Sequence, residues 1–244
     1  MPPLLASRLK WEKDFKDFPQ ICAKQDGGGY LVVNHYETGD GPFIINEYAW
    51  LWLNRDGSPT ALTDLVYEKL LGKNSDAEAR RLAYARYFAM LTELWRTSRK
   101  NAGVLHFCML GYSREGGATC DNFIGVKRQI FEPHFKKYAS DAFAPVGLML
   151  DYFETPAKAS SSMKLKVKFI NDTYEDFKGT LQLSLCDSKG KVLFESRKPP
   201  SSDACGKGEL SFELKIPDSA GKYKMCAKIL ETGTESRRTL VVEN

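Results

Sequence analysis

A carboxylate flanked by polar and aromatic residues follows a short apolar run in the first fifth of the chain. Residues 43–45 are Phe-Ile-Ile, and the run ends at Asn46 and Glu47. Consecutive apolar residues without alternation are typical of a strand that is buried on both faces. In an α/β barrel, a polar residue at the C-terminal end of such a strand lies at the barrel mouth, where catalysis takes place. Glu47 is therefore the catalytic candidate, with Tyr48 and Trp50 beside it.

The stretch Pro42–Trp50 resembles a motif of the glycoside hydrolases of the β-galactosidase and β-glucuronidase family, family 2. The seventh barrel strand of that family ends in Pro-apolar-apolar-x-Glu-Tyr, and its Glu is the catalytic nucleophile. The resemblance therefore implies a retaining glycosidase with Glu47 as nucleophile. In the same clan, an Asn-Glu pair also ends strand four, where the Glu is the acid/base.

Chain length favours strand seven. If Glu47 ended strand four, four further βα units would have to follow. A whole barrel has about 250 residues, so these units would occupy more than about 100 of them. Here one helical segment and one strand, Gly103–Met109, follow before the sequence pattern changes. By resemblance this is strand eight, with His106 where the family commonly has a pocket Trp. Trp50 stands where the galactosidases have His, so the resemblance leaves the identity of the sugar open.

Retaining glycosidases need two carboxyl groups about 5–5.5 Å apart, one attacking the anomeric carbon and the other protonating the leaving oxygen. Glu47 is the expected nucleophile, and Tyr48 could keep it ionised by a hydrogen bond. Asn46 is expected to bond a sugar hydroxyl. Trp50 and His106 are expected to contact a pyranose ring, while Trp52 is expected in the core.

Two helices are predicted after the candidate strand. The first has Ser58 as N-cap, Pro59 at its first position and Gly72 as its C-terminal cap. Its apolar positions are Leu62, Leu65, Val66 and Leu70. The second begins with a capping box, Ser75 and Glu78. Tyr84, Phe88, Leu91 and Trp95 follow at helical spacing and predict its buried stripe. A third, short helix is predicted over 134–142.

From about residue 145 the apolar period changes to two. Alternation is clearest in the segments 165–169, 181–185, 210–216 and 223–229, with a hairpin turn at 187–190. Short alternating strands favour an antiparallel β-sandwich. The predicted fold is α/β plus all-β: the C-terminal βα units of a (β/α)8 barrel over 1–144, strands seven and eight with their helices. An immunoglobulin-like β-sandwich follows over 145–244.

Charge and composition point to no nucleic-acid or membrane partner. The net charge is +4, from 35 basic and 31 acidic residues, and the basic residues are dispersed. The densest pairs, Arg80-Arg81 and Arg237-Arg238, are expected on solvated faces, whereas nucleic-acid binding calls for a basic stripe. No apolar run is close in length to the ~20 residues that a membrane-spanning helix needs. Residues 1–20 show no signal peptide pattern. The compartment stays unknown.

Metal and cofactor chemistry is not expected. The six cysteines are scattered without CxxC pairs, and the three histidines, His35, His106 and His134, lack ligand spacing.

The acid/base of the expected reaction has no candidate in this sequence. No second Asn-Glu strand end precedes Glu47, which has 46 residues upstream. We therefore expect the C-terminal part of a larger glycosidase, inactive alone, with a carbohydrate substrate. Its partner would be the missing N-terminal part of the barrel or a second copy of the chain. The alternative hypothesis is a non-catalytic remnant, or a module that binds carbohydrate or protein.

Overall fold

The computed structural model describes residues 44–46, 48–99, 101–111, 121–153 and 155–244. The chain divides into two compact units, and the division lies between Tyr138 and Ala139. The described residues contain fourteen strands and three α-helices, so this part of the chain is β-rich. The assignment of 1–144 to a partial barrel and 145–244 to a sandwich stays a prediction.

The described part of the first unit begins with a parallel pair of strands joined through two helices. Strands β1 (Ile44–Asn46) and β2 (Gly103–Leu105) pair in parallel, with Asn46 opposite Leu105. Ile45 is buried, but Ile44 and Leu105 are about half exposed. The prediction that both strands are buried on both faces is therefore wrong. The predicted strand Gly103–Met109 is also too long, because it ends at Leu105.

Helix α1 (Asp64–Leu71) begins five residues later than the proline signal predicts. The sequence 54–58 forms a turn instead, in which Asn54 N–H donates to Ser58 O at 2.8 Å, and Pro59 bridges Leu53. Leu62 and Leu65 are exposed, and the buried face of α1 is Val66 and Tyr67. The prediction that helix one starts at Ser58 and Pro59 is wrong, because the tertiary bridge competes with the local cap. Its predicted end at Gly72 is confirmed.

Helix α2 (Ala77–Ser98) is the longest described helix. Its N-cap is Asp76, whose carboxylate accepts from Ala79 N–H at 2.7 Å. The predicted capping box of Ser75 and Glu78 is therefore wrong, because the third residue after the true N-cap is an alanine. The predicted stripe of Tyr84, Phe88, Leu91 and Trp95 is buried, as expected.

The rest of the first unit is a short hairpin and the start of a third helix. The hairpin pairs β3 (Phe123–Gly125) with β4 (Ile130–Phe131), and a 3-10 turn lies between them. Helix α3 (Pro133–Ala142) confirms the predicted helix and crosses the division between the units. The buried carboxylate of Glu132 caps it by accepting from the N–H groups of His134 and Phe135.

The second unit holds ten strands in two principal sheets and one minor sheet. The strands are β5 (Val146–Leu150), β6 (Ala157–Lys158), β7 (Ser162–Asn171), β8 (Phe177–Lys178), β9 (Leu181–Cys186), β10 (Val192–Lys198), β11 (Ser201–Ser202), β12 (Lys207–Lys215), β13 (Gly221–Ile229) and β14 (Glu235–Glu243). One principal sheet has the strand order β10-β9-β13-β14-β6, and the other has the order β12-β7-β5. The minor sheet pairs β8 with β11.

One apolar core takes side chains from both principal sheets. The alternating residues predicted to face inward are buried, among them Val167, Leu183, Phe212 and Met225, while Leu210 is partly buried against the same core. The hairpin turn at 187–190 is confirmed, with Gly190 at a φ of 84°. The alternation therefore predicts correctly which side chains form this core.

The pair Arg237-Arg238 contradicts the expectation of a solvated face. Arg238 is 3% exposed and donates from Nε to the Tyr152 carbonyl at 3.0 Å. Arg237 forms ion pairs with Asp141, at 2.7 Å, and with Glu235. Both arginines belong to β14, and Arg238 lies on its inward face. Backbone carbonyls accept hydrogen bonds from Arg238, and two carboxylates of the same unit compensate the charge of Arg237.

Among the described residues, no helix is long and apolar enough to cross a membrane.

Candidate functional site

The candidate residues of the first unit follow two adjacent strand ends. Asn46 is the last residue of β1, and His106 comes directly after β2. Because the strands are parallel and Asn46 lies opposite Leu105, both chain segments leave the pair at the same edge. Glu47, the predicted nucleophile, lies outside the described residues, and only the backbone of Asn46 is described. Tyr48, Trp50 and His106 can be placed in detail.

Side chains of α1 hold the segment that follows β1. Tyr67 donates its hydroxyl to the Leu51 carbonyl at 2.5 Å, and the Thr63 hydroxyl donates to the Trp52 carbonyl at 2.6 Å. Ala49 has a left-handed φ of 56°, which is costly for a residue with a Cβ and turns the chain sharply here. The backbone after the candidate carboxylate is therefore fixed by buried hydrogen bonds.

Tyr48 is anchored to helix α2. Its hydroxyl lies 2.7 Å from Thr92 Oγ1, and the Thr92 hydroxyl itself donates to the Phe88 carbonyl at 2.8 Å. The Thr92 proton is thus used, so the Tyr48 hydroxyl is the donor. Burial raises the pKa of Tyr48 well above its ordinary value and keeps the phenol neutral. A hydrogen bond from Tyr48 to Glu47 would require the bond to Thr92 to break.

His106 sits among aromatic rings of α2 and α3. Its ring centroid is 4.6 Å from Phe88, 5.8 Å from Tyr48 and 6.0 Å from Phe135. Its Nε2 lies 3.0 Å from the Tyr84 hydroxyl. Burial lowers the pKa of His106 to about 4, because the surrounding rings replace the water that would solvate an imidazolium. At neutral pH this histidine is an uncharged hydrogen-bonding group.

Trp50 and Trp52 continue the aromatic cluster. Their ring centroids are 5.4 Å apart, and the Phe107 ring lies edge-on to Trp52 at 6.1 Å. Trp52 is buried, with Nε1 donating to the Phe107 carbonyl at 3.1 Å, which confirms that it is a core residue. Trp50 and Phe107 are partly exposed. Among the described residues near the strand ends, these two aromatic side chains thus remain accessible to solvent.

Sequence reasoning missed two of the contacts that build this cluster. The sequence pattern predicts Tyr84 only as a core residue and assigns no role to Thr92. The Thr92 hydroxyl bonds Tyr48, the first described residue after β1, and the Tyr84 hydroxyl bonds His106, the first residue after β2. The available signal was the spacing of Tyr84, Phe88 and Thr92 by four residues, which puts two hydroxyls on one face of α2.

A second polar cluster in the first unit is structural. Asp121 is buried, pairs with Arg55 at 2.5 Å and accepts from Phe123 N–H at 3.0 Å. Its carboxylate oxygens therefore have partners that hold the loop. In the described parts of the chain, no three His, Cys, Asp or Glu side chains converge as metal ligands.

No protein-family model matches the chain, and no curated protein sequence matches it. Its structural neighbours include glycoside hydrolases. A β-glucosidase from Listeria innocua in complex with glucose aligns with 42% of this chain at a TM-score of 0.35 and 12% identity. A β-glucuronidase from glycoside hydrolase family 2 aligns with 35% at a TM-score of 0.30 and 19% identity.

A glucanotransferase from Paenibacillus sp., in complex with cycloisomaltoheptaose, aligns with 36% of the chain at a TM-score of 0.32 and 12% identity. The chain spans 16%, 10% and 13% of the lengths of these three proteins, respectively. Alignments of this extent establish neither a shared fold nor a shared activity.

Proposed function

We propose that this chain is part of a retaining glycoside hydrolase that cleaves β-glycosidic bonds, with Glu47 as its nucleophile. The observation that carries the proposal is the parallel pairing of β1 and β2, with Asn46 opposite Leu105. Glu47 and His106 are the next residues along the two segments. In barrel enzymes, the catalytic residues are polar residues at the C-terminal ends of the strands.

The proposed architecture follows from the same pairing. Strands β1 and β2, joined through α1 and α2, are proposed to be strands seven and eight of a (β/α)8 barrel. A parallel pair with a helical crossover between its strands supports this assignment. The second unit is proposed to be an immunoglobulin-like β-sandwich, which is supported by the apolar core that its two principal sheets share.

In the proposed reaction, a Glu47 carboxylate oxygen attacks the anomeric carbon and the bond to the leaving oxygen breaks. A second carboxyl group protonates that oxygen, and water later hydrolyses the glycosyl–enzyme ester. We assign the second carboxyl group to a polypeptide segment outside residues 1–244. Asn46 and Tyr48 are proposed beside the reacting carbon, while Trp50 and His106 contact the sugar ring.

The test uses an activated substrate that needs no acid catalyst. A 2,4-dinitrophenyl 2-deoxy-2-fluoro-β-glycoside loses dinitrophenolate when a carboxylate attacks its anomeric carbon, and the fluorine slows hydrolysis of the resulting ester. Incubation with the gluco, galacto, manno and glucuronic derivatives should add one glycosyl mass to the peptide that contains Glu47. Glu47→Gln should abolish the adduct, while Glu68→Gln, which changes a surface carboxylate of α1, should keep it. An adduct on another residue, or none with all four sugars, contradicts the assignment.

The alternative of a carbohydrate-binding second unit has weaker support. A glycan platform needs exposed aromatic faces, yet Phe169, Phe212 and Tyr223 lie in the core. Phe177 and Phe194 are partly buried against that core. We therefore propose that carbohydrate binds to residues of the first unit.

A further inference from the structure

His106 has two ring nitrogens in different situations. Nε2 meets the Tyr84 hydroxyl at 3.0 Å, and Tyr84 is almost wholly buried in α2. Among the described residues, the His106 side chain forms a hydrogen bond with Tyr84 alone, through Nε2. Its Nδ1 forms no hydrogen bond with any of these residues. His106 as a whole residue is between buried and exposed. Nδ1 is therefore the nitrogen left for a ligand.

The direction of the Tyr84 hydrogen bond decides what Nδ1 can do. A neutral imidazole has one N–H donor and one bare nitrogen acceptor, and the bond made by one nitrogen sets the state of the other. A phenol is a good donor and a poor acceptor, because its lone pair is delocalised into the ring. A bare imidazole nitrogen is the strongest neutral acceptor that a side chain offers. The favoured arrangement is Tyr84 O–H donating to Nε2.

We propose that Tyr84 is a positioning residue that fixes His106 in the tautomer with its proton on Nδ1, so that His106 donates a hydrogen bond to a hydroxyl of the bound sugar. This inference rests on the proposed function for its ligand. The rings of Phe88 and Phe135 hold the imidazole plane, which restricts the direction of the donor. A bare Nδ1 would accept from a sugar hydroxyl instead and could not bond an oxygen that carries no proton, such as the ring oxygen or a carboxylate, whereas Nδ1–H can bond either kind.

The tautomer is measured directly by NMR on the chain labelled with ¹⁵N-histidine. Two-bond ¹⁵N–¹H correlations at pH 7 should show His106 with a protonated Nδ1 and a bare Nε2. Tyr84→Phe keeps the ring and removes the hydroxyl, and we expect the ratio of Nδ1–H to Nε2–H to fall about fivefold, the worth of one typical hydrogen bond. Tyr87→Phe, which removes the other tyrosine hydroxyl of α2, should leave the ratio unchanged. A protonated Nε2 in the unmodified chain, or a ratio unaffected by Tyr84→Phe, overturns the inference.

The ligand is tested in the same spectra with methyl β-glycosides of glucose, galactose, mannose and glucuronic acid. Binding of one of them should shift the Nδ1 resonance of His106, and the shift should be lost in Tyr84→Phe. If the tautomer is the expected one and all four glycosides leave His106 unshifted, the proposed function fails and the assignment of the tautomer stands. The two failures are thus distinguishable.

Discussion

The buried position of His106 predicts a specific loss of stability in acid. The pKa of His106 in the folded chain is lowered from 6.5 to about 4 by burial. Above pH 6.5 neither the folded nor the unfolded chain protonates this ring. As the pH falls from 6.5 towards 4, the unfolded chain binds a proton that the folded chain does not, so the free energy of unfolding decreases. The loss is about 2 kcal/mol by pH 5 and about 3 kcal/mol below pH 4.

The perturbation is His106→Gln, which removes the titration and keeps a side-chain amide near Tyr84. Urea unfolding is followed by tryptophan fluorescence, which reports on the first unit because all four tryptophans precede residue 139. We expect the variant to lose about 2 kcal/mol less stability than the unmodified chain between pH 8 and pH 5. Other groups that titrate in this range affect both proteins equally and cancel in the comparison.

The matched control is His134→Gln, which removes the other described histidine, at the start of α3, where it pairs with Glu78. That variant should retain the loss that depends on His106. If His106→Gln loses as much stability between pH 8 and pH 5 as the unmodified chain, His106 is solvated in the folded state. The interpretation of His106 as a neutral imidazole that faces a ligand would then be wrong.

Three substitutions test the fold around the site and in the second unit, each by the free energy of unfolding in urea. Gly57→Ala should cost about 1–3 kcal/mol, because Gly57 has a φ of 84° and an added Cβ would lie 2.7 Å from the Ala77 Cβ. Asp76→Ala removes the cap that Ala79 N–H uses and should cost about 1 kcal/mol. Phe212→Ala opens a cavity between buried residues of the second unit and should cost about 3–5 kcal/mol.

Each of these substitutions has a control in the same unit. Gly72 has a φ of 86° but nothing within 4 Å of an added Cβ, so Gly72→Ala carries the backbone strain without the clash. Asp64→Ala changes a first-turn carboxylate that is not the N-cap of its helix. Tyr174→Ala removes an aromatic ring that is 92% exposed and should cost almost nothing. Equal losses within any of these pairs would refute the corresponding structural explanation.

The second unit was predictable where a strand buries alternate apolar residues. In β7, β9, β12 and β13 such residues recur at every second position, and the structure buries them except Met163 and Leu210, which are partly buried. Strands β5 and β14 show two reasons why this signal can be absent. All five residues of β5 are buried, so its sequence does not alternate. In β14 an inward position is occupied by Arg238, whose charge obscures the period although its guanidinium is bonded within the unit.

The first unit was predictable in its helical cores and less so at their ends. The four-residue stripe of α2 identifies its buried face, because helix geometry alone puts those side chains together. The start of α1 is different. Pro59 satisfies the local rule for a helix N-terminus, yet it is bridged to Leu53, and that contact is not encoded in local spacing. Leu62 and Leu65 then supply helical periodicity to residues that the structure leaves exposed.

The candidate site illustrates why strand-end motifs do not reveal how their residues are held. Tyr48 and Thr92 are 44 positions apart, and Tyr84 and His106 are 22 positions apart. No periodicity relates them, because each bond depends on how α2 packs against the two strands. Since both hydroxyls lie on one face of α2, with Phe88 between them, a displacement of this helix would move Tyr48 and His106 together. The pairing of β1 with β2 therefore sets the spacing of the two strand ends, while α2 sets how the Tyr48 and His106 side chains are held beyond them.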